Sequence, residues 1–178
     1  MLPGVTCTRL GADRCPGLLK PFVAQDGAII RLRVPGGRVR VSTLADLLAI
    51  GADHGAPLLS VTSRTNLQVR GLPDPLPEDV MVRAEATGLL PSPSHERARN
   101  ILAAPLAPDL QPLVAELDAA LCADPFLADL PGRFLFAVTD ATGAVLTEPV
   151  DAAYQALTPT SGVIRLAGLG MPCARDDA

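Results

Sequence analysis

The sequence predicts an α+β fold, with β-α-β units on a mixed sheet in a first part and the start of a second α/β segment after it. Three observations carry that reading. Residues 28–34, AIIRLRV, alternate with the period of two that a strand imposes. Leu44, Leu47 and Leu48 then recur at helical spacing behind a capping signal, and residues 58–70 alternate again. With 178 residues and 48% of them hydrophobic, the chain has enough material for a packed core.

Taken in order, Asp26-Gly27 is a turn signal, and the strand after it puts Ile30, Leu32 and Val34 on one face and Ile29, Arg31 and Arg33 on the other. Pro35-Gly36-Gly37 ends it, and RVRV reads as a short second strand. Ser42 or Thr43 is then expected to cap a helix, with Asp46 three residues after Thr43 as in a capping box, a stripe of Leu44, Leu47 and Leu48, and Gly55 at its close. Pro57 opens a strand over residues 58–70 that turns Leu59, Val61, Leu67 and Val69 toward that helix. Its other face would carry Thr62, Arg64, Asn66, Gln68 and Arg70, two guanidiniums and two amides with no carboxylate.

The Pro-rich GLPDPLPED reads as a boundary between parts spanning residues 1–75 and 76–178. Pro77 with Glu78 and Asp79 favours a helix to about Ala86, ended by Gly88. In DLQPLVAELDAAL, Leu110, Leu113, Val114, Leu117 and Leu121 form a core stripe. RFLFAVTDATGAVLTEP predicts a hairpin around Thr142-Gly143, and from about Val150 only GVIRL signals a strand.

Composition excludes several classes. No apolar run is long enough for a membrane span and no amino-terminal leader is readable, so a cytoplasmic protein is expected. A net charge of -4 argues against a nucleic-acid binder. Cys7, Cys15, Cys122 and Cys173 lack the spacing of a zinc or self-contained iron-sulfur site and are expected to be free thiols. His54 and His95 are the only histidines, too few for a multi-histidine metal site. His54 is expected to be a solvated group near a helix end, and His95 to contact ligand or cap a following helix. The acids show no pairing that would assign general acid or base roles, so no catalytic residue is named.

The arginines are the informative charges. Arg31 and Arg33 leave one strand on the same side, and Arg64 and Arg70 leave another, about 20 Å apart at strand rise. Guanidinium forks bind carboxylates two bonds at a time and suit a flat ligand with several acidic groups. An exposed sheet face with arginine stems lying over apolar neighbours is the other reading of the same spacing.

IRLRVPGG (residues 30–37), a capped helix and VTSRTNLQVRG (residues 61–71) together resemble the ferredoxin-like half domain of the nitrite and sulfite reductases. SPSHERARNILAAPLA (residues 92–107) is similar to the R-N segment of the same superfamily, and LPGRFLFAV (residues 130–138) to its L-P-R-K-F segment. RCPGLLKP near the start, with SHERARN, resembles the precorrin-3B synthase branch most closely. The resemblance implies a flat polycarboxylate ligand: sirohaem in the reductases, or the related precorrin that precorrin-3B synthase oxidises on the route to cobalamin. It carries over Arg31 or Arg33, Arg64, and Arg99 with Asn100, with Asn66, Gln68, Arg70, Arg97 and Arg133 as neighbouring candidates. Their implied role is to seat carboxylates.

Two departures shape the expectation. The reductases carry two lysines where this chain has Arg133 and Leu135, which disfavours sulfite reduction. The family's iron-sulfur cluster is ligated by cysteines in a carboxyl-terminal half, and no matching spacing occurs among these four. The expected protein is therefore an oxidoreductase-family chain of precorrin-3B synthase type, completed by a cluster-bearing half or second subunit. The alternatives are a non-catalytic tetrapyrrole-binding module, a degenerate remnant, or part of a sirohaem-dependent reductase. Unpaired sheet edges also raise a homodimer as an expectation.

Overall fold

Two sheets organise the computed structural model, which describes residues 15–166 and 168–174. Cys7 lies outside the described residues. The first sheet contains β1 (Phe22–Ala24), β2 (Gly27–Leu32), β3 (Leu59–Val61) and β4 (Leu67–Leu72), in the order β1-β2-β4-β3 with every neighbouring pair antiparallel. Between β2 and β3 runs α1 (Val41–Asp53). Because β4 is antiparallel to both, β3 runs parallel to β2 with β4 inserted between them, so the unit is a split β-α-β. Ile30, Leu32, Leu67 and Val69 pack against Leu47 and Ile50 of α1 and against Val80 and Ala84 of α2 (Glu78–Ala86). Each buried aliphatic side chain there contributes roughly 1.5–3 kcal/mol.

Three local expectations are corrected. Residues 58–70 form a hairpin, not one strand: Thr65 N–H donates to Thr62 O at 2.9 Å, with Thr65 at φ 59°. The polar run Thr62-Ser63-Arg64-Thr65-Asn66 has turn chemistry, and the Thr62 hydroxyl accepts from Asn66 N–H at 3.1 Å. Arg64 therefore sits in the turn and shares no strand face with Gln68 and Arg70. Helix α1 begins with Arg40 as its N-cap and has no side-chain cap bond, so Ser42 and Thr43 lie inside its first turn and RVRV forms no strand. Its buried stripe is Thr43, Leu47, Ile50 and Gly51, while Leu48 is 42% exposed.

The second sheet contains β5 (Ile101–Ala103), β6 (Phe136–Thr139), β7 (Ala152–Thr158), β8 (Ser161–Leu166) and β9 (Leu169–Ala174), in that order. It is mixed: β5, β6 and β7 are parallel, whereas β8 and β9 return antiparallel. Leu110, Val114 and Leu121, on or beside α3 (Gln111–Ala123), join Ile101, Val138 and Tyr154 in its core. The expected hairpin at Thr142-Gly143 is absent, because β6 and β7 are parallel neighbours. Asp140 starts a turn there, accepting Thr142 N–H at 3.0 Å, but the chain keeps turning and buries Val145 before entering β7 in the same direction. Three strands, not one, occupy the described residues after Val150.

The halves meet where a 3-10 turn, Pro35–Gly37, packs on α3. Gly36 has φ +68°, and a Cβ there would lie 3.0 Å from Val114 Cγ1, so both backbone conformation and space require glycine. No helix among the described residues is long and apolar enough to cross a membrane.

Candidate functional site

The turn between β3 and β4 brings Arg64 to a place that strand alternation did not foresee. Its Nη1 donates to the carbonyl of Arg133 at 2.7 Å, linking the first sheet to the loop before β6. Arg31 comes from β2, opposite Gln68 in the β2-β4 register. With the Gln68 amide oriented so that its oxygen faces the guanidinium, Oε1 accepts from Arg31 Nη2 at 2.7 Å and Nε at 2.9 Å. Arg31, Arg64 and Arg133 line one open recess of about 350 Å³, together with Cys15, Pro16 and Gly132. None of the lining residues is acidic.

Arg33 is placed just past β2 and only 1% exposed, with Nη1 donating to Pro16 O at 3.4 Å, so it supports the recess wall from behind. Asn66 and Asn100 are also buried. Asn66 Oδ1 accepts from Val34 N–H at 3.1 Å and its Nδ2 donates to Asn100 Oδ1 at 3.0 Å. Neither amide lines the recess.

Two candidate arginines are engaged elsewhere. Arg99 makes a two-bond ion pair with Asp118, both bonds 2.7 Å, and donates to Leu89 O at 2.8 Å while 3% exposed. Arg70 faces Asp26 across the β1-β2 turn, with its nearest contact at 3.2 Å. Arg97 is half-buried and outside the recess lining.

Sequence reasoning passed over Glu96, whose neighbours drew the attention. It is buried and accepts the backbone N–H of Leu18 and, at 2.9 Å, of Leu19, so it pins the segment that delivers Cys15 and Pro16 to the recess. Nothing in the sequence singled it out, because SHERARN is polar throughout and the partners of Glu96 lie some 77 residues away in the chain. His95 neither meets the recess nor starts a helix: residues 94–98 form turns, and the ring is buried between Asp124 O at 2.9 Å and Ser92 Oγ at 2.8 Å. His54, expected to be solvated, holds Asp79 at 2.9 Å. That hydrogen bond keeps the Asp79 carboxyl below the ordinary aspartate range. Burial, with the Asp118 charge adding to it, pushes the Cys122 thiol up.

Chemically, three guanidiniums at one recess offer paired N–H donors to carboxylates or phosphates. A volume of about 350 Å³ is at the low end for a small-molecule pocket and suits one acidic edge of a larger flat ligand. Among the described residues no three His, Cys, Asp or Glu gather as a metal set.

Comparison with known proteins bears on the first half most directly. Residues 23–86 match the family model of the Nitrite/Sulfite reductase ferredoxin-like half domain. Among solved structures, the chain is similar to the Mycobacterium tuberculosis NirA protein at 20% identity and a TM-score of 0.63. That likeness covers 85% of this chain and 31% of that one, so this chain spans about a third of that protein's length. No curated protein matches.

Proposed function

We propose that the chain, whose residues 23–86 match the nitrite/sulfite reductase ferredoxin-like half domain, binds a polycarboxylate tetrapyrrole through Arg31, Arg64 and Arg133. The carrying observation is the convergence of three guanidiniums, from β2, the β3-β4 turn and the loop before β6, on one recess. Arg31, braced by Gln68, and Arg64, tied to the Arg133 backbone, have reduced side-chain freedom, so less entropy is lost when a carboxylate arrives. Each charge-assisted bond to the ligand would contribute about 1.5–3 kcal/mol.

Within this reading the ligand is the precorrin substrate of a precorrin-3B synthase-type oxidation. Leu135 supports that choice over sulfite reduction: it stands where the reductases carry a lysine, and at 1% exposure it sits in the core and presents nothing to an anionic substrate. A sirohaem-dependent reductase uses the same carboxylate chemistry, and the likeness to a protein titled NirA favours it as the second reading. In either case the macrocycle supplies the redox-active ring system, and this chain's residues seat its acidic rim. We assign turnover to a cluster-bearing half or second subunit.

The test is an absorbance titration of the full chain with uroporphyrin, an octacarboxylate. Saturable binding is expected, weakened about tenfold or more by Arg64→Ala. A flat titration would remove the proposal. Sirohaem that binds and then changes its spectrum with sulfite or nitrite would move the assignment to the reductases.

A further inference from the structure

We infer that Asn66 and Asn100 form a positioning relay that sets the spacing of Arg64 and Arg133 across the junction between the two halves. The inference rests on the tetrapyrrole reading and gives these two amides a role other than ligand contact. Both are nearly inaccessible, at 2% and 1% exposure, so neither can touch a ligand in the recess.

Their hydrogen bonds run in one direction. Val34 N–H donates to Asn66 Oδ1 at 3.1 Å, and Asn66 Nδ2 donates to Asn100 Oδ1 at 3.0 Å. Asn100 Nδ2 then donates to Arg97 O at 3.0 Å and to Gly132 O at 3.1 Å. Chemistry explains the choice of amide at both positions. The chain of bonds begins at a backbone donor and ends on backbone carbonyls, so each linking side chain must accept at one end and donate at the other. An aspartate at position 100 would set an acceptor against two carbonyls, and a leucine there would remove the acceptor of Asn66 Nδ2 and the side-chain donor to both carbonyls.

The relay is closed by the site itself. Asn66 is two residues from Arg64, and Gly132 directly precedes Arg133, whose carbonyl accepts from Arg64 Nη1 at 2.7 Å. The β3-β4 turn and the loop before β6 are thus joined twice, through the buried amides and through the arginine at the recess. Displacing one loop moves both guanidiniums.

The experiment titrates uroporphyrin into the full chain as wild type, Arg133→Ala, Asn100→Asp, the double variant of these two, and Asn100→Leu, at several salt concentrations. Arg133→Ala and Asn100→Asp should each weaken binding about tenfold, and the double variant should fall well short of the hundredfold product, because Asn100 acts through the guanidinium already removed. Asn100→Leu, which changes no charge, should also flatten the salt dependence as Arg133→Ala does, a change that loosened packing alone would not produce. Independent effects that multiply to about a hundredfold, or an unchanged salt slope, would overturn the relay and leave the tetrapyrrole reading standing. A wild-type chain that does not bind would instead overturn that reading. Should either Asn100 variant fail to fold, backbone hydrogen exchange on the wild type decides. Residues 62–66 and 131–134 should gain protection together on adding uroporphyrin, and protection of one loop without the other would sink the relay.

Discussion

Arg64 and Arg99 are alike in the sequence and opposite in the structure. Arg99 is buried against Asp118, so its charge is used inside the protein, whereas Arg64 reaches the recess and donates to a backbone carbonyl there. Arg99→Ala should therefore act on stability, costing about 1.5–3 kcal/mol because the partly buried Asp118 carboxylate and the Leu89 carbonyl lose their charged donor, as chemical denaturation would show. Arg64→Ala should leave the denaturation midpoint nearly unchanged and weaken uroporphyrin binding about tenfold or more. The types of these side chains were legible in the sequence, and so was their suitability for carboxylates. Which of them stayed available was not, since an ion pair such as Arg99 with Asp118 depends on two segments meeting in space. Cys122 makes a similar point. Burial raises its pKa, so alkylation by iodoacetamide should accelerate only at a higher pH than for an ordinary thiol, which mass spectrometry across a pH series would detect.

At the level of elements, helices read more faithfully than strands. Helix α2 begins after Pro77 and is followed by Gly88 as its residues imply, and α1 ends at the expected glycine. Alternation placed residues 58–70 correctly on two faces locally but could not see the reversal at residues 62–65, because a polar turn and an alternating strand share the same residue types. Gly51 shows packing overruling propensity. Alanine is ordinarily the better helix former by about 1 kcal/mol, yet a Cβ at position 51 would run into the Ala56 carbonyl where the chain folds back on α1. Gly51→Ala should lower the melting temperature instead of raising it, by an amount typical of overpacking, about 1–3 kcal/mol. Helices α1 and α2 are also joined by His54 and Asp79. Since the folded-state pKa of Asp79 is depressed, its contribution to stability is present above the ordinary aspartate value and is lost as pH falls through the lowered one. The stability gap between wild type and Asp79→Asn should accordingly close as melts are taken to strongly acidic pH.

For the whole molecule, the recess belongs to neither half alone: Arg31 comes from β2, Arg64 from the β3-β4 turn and Arg133 from the loop before β6 of the second sheet. The first core also takes in α2, with Val80, Ala84, Leu89 and Leu90, so the material beyond residue 75 is shared between the halves. A ligand held across such a junction should stabilise the entire fold. Uroporphyrin at a hundred times its dissociation constant should add about 2.7 kcal/mol, seen as one upward-shifted melting transition.

The amino-acid sequence by itself determined the α+β class, the helices, the presence of guanidiniums suited to acidic groups and the resemblance that residues 23–86 bear out. These depend on period, on residue type and on short motifs, all of which are local. Tertiary structure decided that residues 58–70 reverse, that β6 and β7 run parallel, and that Arg31, Arg64 and Arg133 converge while Arg70 and Arg99 pair with acids. Those outcomes turn on contacts between segments far apart in the chain, where the free energy of a charge is set by the group it meets and not by its neighbours in sequence.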